Sequence, residues 1–169
     1  KPLILLDRDG VINYDSDEIA SGSTGSTVVE TNYSVNVWKK GVENCACQLL
    51  GHEQTVNAVA FNKENRLLFS GGIDGMIKIW SLDSCKELVS CIAIDYDDYI
   101  FITPDYHYTG SKDALKGVGF KMNGTKLYPF EQYDLRLNRP DIIAERLNIA
   151  PEKLIKAFKR AYQKRIEKI

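Results

Sequence analysis

The sequence predicts an all-β chain with a C-terminal helical tail, and three observations carry that expectation. From Val11 to about Phe130 the 169-residue chain is rich in Val, Ile, Thr, Tyr and Phe, and Gly, Asn, Asp or Pro interrupt it at short, regular intervals. That is the rhythm of short strands joined by turns. Helical periodicity begins only at Pro140. Charge separates nearly the same two regions: residues 1–133 carry 12 basic and 18 acidic side chains, and residues 134–169 carry 10 and 5. The expected organisation is therefore a β module over 1–133 and a basic helical tail over 134–169.

At 44% hydrophobic and 27% charged the composition is that of a globular protein. A chain of this length can bury about 70% of its unfolded surface, enough for one domain without staples. No apolar run approaches the ~20 residues of a membrane span, and no charged-then-apolar leader opens the chain, so a soluble cytoplasmic protein is expected. Cys45, Cys47, Cys85 and Cys91 form no secreted-type framework, and the expectation is reduced thiols. The first residue is Lys1 rather than Met, which points to a processed chain or a piece of a longer one. A basic tail could meet nucleic acid or an acidic membrane surface, but a solvated helix face partly docked on an acidic body is the expectation, with a protein as partner and no membrane or nucleic-acid one.

The clearest strands are Thr55–Phe61, Leu67–Ser70, Met76–Trp80 and Leu88–Ile94, separated by the turn formers NKEN, GGIDG and SLDSCK, an antiparallel meander. Tyr99–Thr103, Tyr106–Thr109, Gly117–Lys121 and Lys126–Phe130 read as four more. Pro140 sits near the first turn of a short helix over DIIAERL, and Pro151 opens a longer one. In that last helix Leu154, Phe158, Ala161, Tyr162, Ile166 and Ile169 recur at three- and four-residue spacings. Leu154, Phe158 and Tyr162 are the candidate association surface.

The chain also repeats itself. IASGS at Ile19–Ser23 echoes LFSGG at Leu68–Gly72, and VNVW at Val35–Trp38 echoes IKIW at Ile77–Trp80, with the two Trp 42 residues apart. Periods of about 40 to 45 residues with four short strands mark β-propeller blades. The stretch GHEQTVNAVAFNKENRLLFSGGIDGMIKIW resembles one Trp-Asp repeat. The resemblance implies a buried hydrogen-bonded tetrad of His52, Ser70, Asp74 and Trp80. The earlier copy is weaker: Ser21 and Trp38 stand 17 apart where Ser70 and Trp80 stand 10 apart, Asn32 takes the place of Asp74, and no His precedes it. Residues 98–169 resemble the region that follows the last blades of bacterial Trp-Asp-repeat proteins, in which a caspase-like peptidase domain often lies beside the propeller.

The N-terminus carries a different signal. PLILLDRDGVINYDSDE resembles motif one of haloacid-dehalogenase-like phosphatases, of the sugar- and histidinol-phosphate branch. The resemblance implies Asp7 as nucleophile, Asp9 as general acid and a Mg²⁺ ion. Two carboxylates two residues apart on an extended chain can face one pocket. The parallel sheet of that family needs crossover helices, and none is readable from Val11 to Phe130. Residues 1–18 are thus a first blade strand, a phosphatase-like leader or a fusion junction. The expectation is a partial propeller of about two blades plus extra strands, a non-catalytic interaction module without cofactor. It is a fragment or self-associating, because two blades leave sheet faces uncovered. The Mg-dependent phosphatase is the alternative.

Overall fold

The computed structural model describes residues 5–6, 12–13, 33–38, 45–62, 64–122, 126–129 and 131–167. The chain divides into two compact units, Lys1–Glu87 and Leu88–Ile169. Mostly β-sheet with a helical C-terminal region, it has the fold class the sequence predicts and is consistent with a partial propeller. The division differs from the compositional one at 133/134, because charge and packing partition the chain differently.

In the first unit β1 (Leu5–Leu6) pairs antiparallel with β2 (Ile12–Asn13), and β3 (Val35–Trp38) with β4 (Cys45–Leu49). A meander follows, β5 (Val56–Asn62), β6 (Leu67–Gly72) and β7 (Met76–Ser81), within a residue or two of the expected bounds. Alternation places Val35 and Val37 of β3, and Cys47 and Leu49 of β4, on buried faces. They form one apolar cluster with Val56, Val59, Leu68 and Trp80 of the meander. Val56 and Val59 are three apart, which strict alternation would place on opposite faces. A bulge reconciles them: Val56 pairs with Gly72 and Ala58 with Gly71, which leaves Asn57 as the extra residue and returns Val59 to the buried face.

Two of the four Cys depart from the expectation of reduced thiols. Cys47 and Cys85 form a disulfide, with Cα atoms 5.4 Å apart and a sequence separation of 38. It joins β4 to the turn after β7, where Cys85 has φ 54°. Cys91 is a free thiol, raised in pKa by burial. The pairing was not readable because it depends on how the β3–β4 hairpin packs on the meander, not on spacing along the chain.

The second unit starts within β8 (Lys86–Ala93), which pairs antiparallel with β9 (Tyr99–Ile102), and β9 with β10 (Tyr108–Gly110). Then come α1 (Lys112–Lys116), the hairpin β11 (Gly119–Met122) and β12 (Lys126–Pro129), α2 (Glu131–Leu137), α3 (Pro140–Leu147) and α4 (Glu152–Ile166). The tenth strand starts later than expected because Thr103 to His107 close a turn, with Thr103 N–H donating to the His107 carbonyl at 2.8 Å. α1 and α2 were not anticipated. At five and seven residues they are too short to show a period.

Pro140 does open α3, and Asn148 ends it in the left-handed conformation. Ahead of it Arg139 grips the fully buried Asp141 with two bonds, Nε–Oδ1 2.9 Å and Nη2–Oδ2 2.7 Å. The Arg139 guanidinium also lies 3.9 Å from the Tyr162 ring centre, which ties α4 to the start of α3.

Candidate functional site

The turns of the meander position four polar side chains that converge in the first unit. Ser70, near the end of β6, and Trp80, near the end of β7, lie on the same face, and the Trp80 indole N–H donates to Ser70 Oγ at 2.8 Å. His52 follows β4, with Nε2 2.7 Å from Ser70 Oγ and Nδ1 2.8 Å from Asp74 Oδ2. His52, Ser70 and Trp80 are buried. With a neutral imidazole carrying its proton on Nδ1, every donor meets an acceptor: indole N–H to Ser70, Ser70 O–H to Nε2, Nδ1–H to the carboxylate. The other neutral tautomer would set a lone pair against the carboxylate. The structure thus brings together all four residues of the implied tetrad.

Asp74 is held from several sides. Its Oδ1 accepts the Met76 N–H at 3.0 Å, and its Oδ2 accepts the Glu53 N–H at 3.0 Å as well as the His52 bond. Burial alone would raise its pKa. The Met76, His52 and Glu53 donors outweigh that and hold the carboxyl below its ordinary value. Gly75, at φ 77°, supplies the left-handed residue that the Asp74 turn requires.

Three partners of this arrangement were missed in sequence. Gly72 lacks a side chain where a Cβ would stand 2.7 Å from both Asp74 Oδ1 and His52 Nδ1. Lys78, buried on the same face of β7, pairs with Glu87 Oε2 at 2.9 Å. The Cys47–Cys85 disulfide closes the hairpin onto the meander. The GG doublet at 71 and 72 was the one legible signal.

The other candidates fare differently. Asp7 and Asp9 lie outside the described residues, as do Ser21 and Asn32 of the earlier copy and Ile169. Leu154 is 43% exposed, whereas Phe158 and Tyr162 are half-buried and Tyr162 carries Arg139 on its ring. The association surface inferred from periodicity is therefore split: α4 turns Ile155, Phe158, Tyr162, Arg165 and Ile166 toward the protein and leaves Leu154 and Ala161 exposed. His107 bonds Asp105 at 3.0 Å. Among the described residues no three His, Cys, Asp or Glu side chains are grouped to hold a metal ion.

Residues 43–81 match the family described as WD domain, G-beta repeat. Over that segment the chain is similar to one WD repeat. The matched segment begins before β4, whose antiparallel partner is β3, so the repeat in sequence is out of step with the sheets and links one to the next. Among similar proteins, the chain is 34% identical over 76 residues to a ribosome biogenesis protein WDR12 homolog of Trichoplax adhaerens, covering 41% of this chain and 17% of that one. It is 33% identical over 73 residues to the U3 small nucleolar RNA-associated protein 15 of Schizosaccharomyces pombe, covering 41% and 15%. It is 28% identical over 119 residues to periodic tryptophan protein 2 of Saccharomyces cerevisiae, covering 69% and 12%. The chain thus spans less than a fifth of the length of each of these relatives. All three are eukaryotic, which lends nothing to the expected bacterial type, and none of the three is described as a phosphatase.

Proposed function

We propose that the chain is a non-catalytic, cytoplasmic interaction module, part of a propeller completed either by further sequence or by association of copies. The observation that carries this reading is the closed tetrad of His52, Ser70, Asp74 and Trp80. Its four side chains bond in series, and His52, Ser70 and Trp80 are buried, so they fix a blade and lie out of reach of a substrate. The reading needs no cofactor. An adjacent caspase-like domain in a longer bacterial protein remains part of the proposal, supported by the resemblance of residues 98–169 alone.

Light scattering at micromolar concentration tests the association arm. A dimer or larger ring is the expected result, since sheet faces left open to water favour pairing at about 25 cal/mol per Å² of apolar surface. A well-folded monomer would contradict it. Mg²⁺-dependent turnover of an aryl phosphate that disappears in Asp7→Asn would overturn the non-catalytic reading.

A further inference from the structure

The outward face of α4 is the strongly charged surface that the tetrad and the packing of the helix leave unused. Lys153, Arg160 and Lys164 fall along one line of that helix and all are exposed. Their neighbours are engaged: Lys156 with Glu152, Lys159 with Glu145, and Arg165 near Asp134. Among the described residues Lys153, Arg160 and Lys164 make no ion pair. Ala157 lies exposed within this line, and Leu154 and Ala161 flank it.

The same unit presents a complementary feature at the β8–β9 turn. Asp95 and Asp98 exchange backbone hydrogen bonds at 3.3 Å, and the Asp98 side chain turns inward to accept the Ser111 hydroxyl at 2.6 Å. Asp95 and Asp97 are left exposed without a cationic partner among the described residues. Between them Tyr96 is 98% exposed, more than any other large hydrophobic side chain described. A tyrosine so fully in water, flanked by two carboxylates, is matched to a cationic surface carrying small apolar side chains.

We propose that this turn of one copy docks on the outward face of α4 in a second copy. The Tyr96 ring lies over the Arg160 guanidinium, and Asp95 and Asp97 meet the cations on either side. The spacing fits: Arg160 and Lys164 are one turn apart, about 6 Å along the axis, and the Cα atoms of Asp95 and Asp97, two residues apart in the turn, stand no more than about 7 Å apart. Asp95 and Asp97 belong to the region with 18 acidic against 12 basic side chains, and the helix to the one with 10 basic against 5 acidic, so a second copy is attracted in this orientation. The contact is heterologous, because each copy offers both faces, and it therefore closes a ring or extends a chain. The inference rests on the association reading and moves its surface from the inner face of α4 to the outer one.

Sedimentation of the full chain at about 100 μM, in low and in ~0.5 M salt, tests it together with two exposed variants. Association that weakens about tenfold or more as salt rises is expected. Lys153→Glu/Arg160→Glu/Lys164→Glu should abolish it, as should Asp95→Lys/Asp97→Lys, with unchanged thermal unfolding. An equimolar mixture of the two variants should associate again, because each carries the face the other has lost its match for. Association that ignores salt and both variants overturns this inference and leaves the association reading standing. A folded monomer at every salt concentration overturns both. A monomer that binds duplex RNA or anionic vesicles through the same three cations assigns the face to another occupant, and failure of the mixture to associate rejects the pairing.

Discussion

Gly72 stands so close to His52 that a Cβ placed on it would lie 2.7 Å from Nδ1. The glycine is therefore set by the tetrad and not by its own backbone angles, since Gly72 is absent from the residues of positive φ. Gly72→Ala should push the imidazole off Asp74 and cost about 1 to 3 kcal/mol, as overpacking of a tight site does. At Gly71 a Cβ meets nothing within 4 Å, and Gly71→Ala should be nearly neutral. Urea midpoints of the two variants check this, and equal shifts would contradict it.

Asp74→Ala should leave His52 Nδ1–H and the Met76 and Glu53 amides without their acceptor, at a cost of about 2 to 4 kcal/mol. Asp83→Ala removes an exposed pair with Arg66 and should cost under about 1 kcal/mol. Thermal unfolding separates the two. Loss of comparable size in both would remove the argument that Asp74 holds the blade.

Acid should weaken the fold in a defined window. The Asp74 carboxyl lies below its ordinary value of 3.8, because the amide and His52 donors outweigh burial; the Asp141 carboxyl does too, because Arg139 outweighs burial. A depressed folded pKa gives stability that is fully present above the unfolded value and lost as pH falls through the folded one. Stability should thus hold above about pH 4 and decline below it, less steeply in Asp74→Asn. A decline centred near pH 6 would point to a different group.

The Cys47–Cys85 disulfide closes a loop with a sequence separation of 38, for which chain entropy suggests about 3 to 4 kcal/mol. Cys47→Ser, or a dithiol reductant acting on the native chain, should lower the unfolding midpoint accordingly. Mass-spectrometric thiol counting before and after reduction checks that the bond is present. Four free thiols in the untreated protein would restore the reading from sequence.

The meander was legible because each strand is bounded by a turn with strong local chemistry, whereas the tetrad was legible only through the resemblance of the GHEQTV…IKIW stretch to a Trp-Asp repeat. The Asn57 bulge was not legible, since VNAVAF alternates plausibly in either phase and only the pairing of Val56 with Gly72 reveals the extra residue. The inner face of α4 was legible only in part for a similar reason. Leu154 and Ile155 are both apolar neighbours, and Arg139 on Tyr162 selects which stripe turns inward. The disulfide depends on how one sheet packs against the next, and the Lys78–Glu87 pair on the register between the neighbouring strands β7 and β8, neither of which one-dimensional patterns encode.

The Trp80 indole locks the blade through Ser70, and the exchange rate of that one proton tests the lock most directly. In nuclear magnetic resonance of the ¹⁵N-labelled chain, with Trp38→Phe assigning the signal, the Trp80 Nε1–H should exchange slowly, since it is buried and bonded to Ser70 Oγ at 2.8 Å. Ser70→Ala should release it to fast exchange. An indole proton that exchanges within seconds in the native chain, unaffected by Ser70→Ala, would contradict the tetrad and the interaction module built on it.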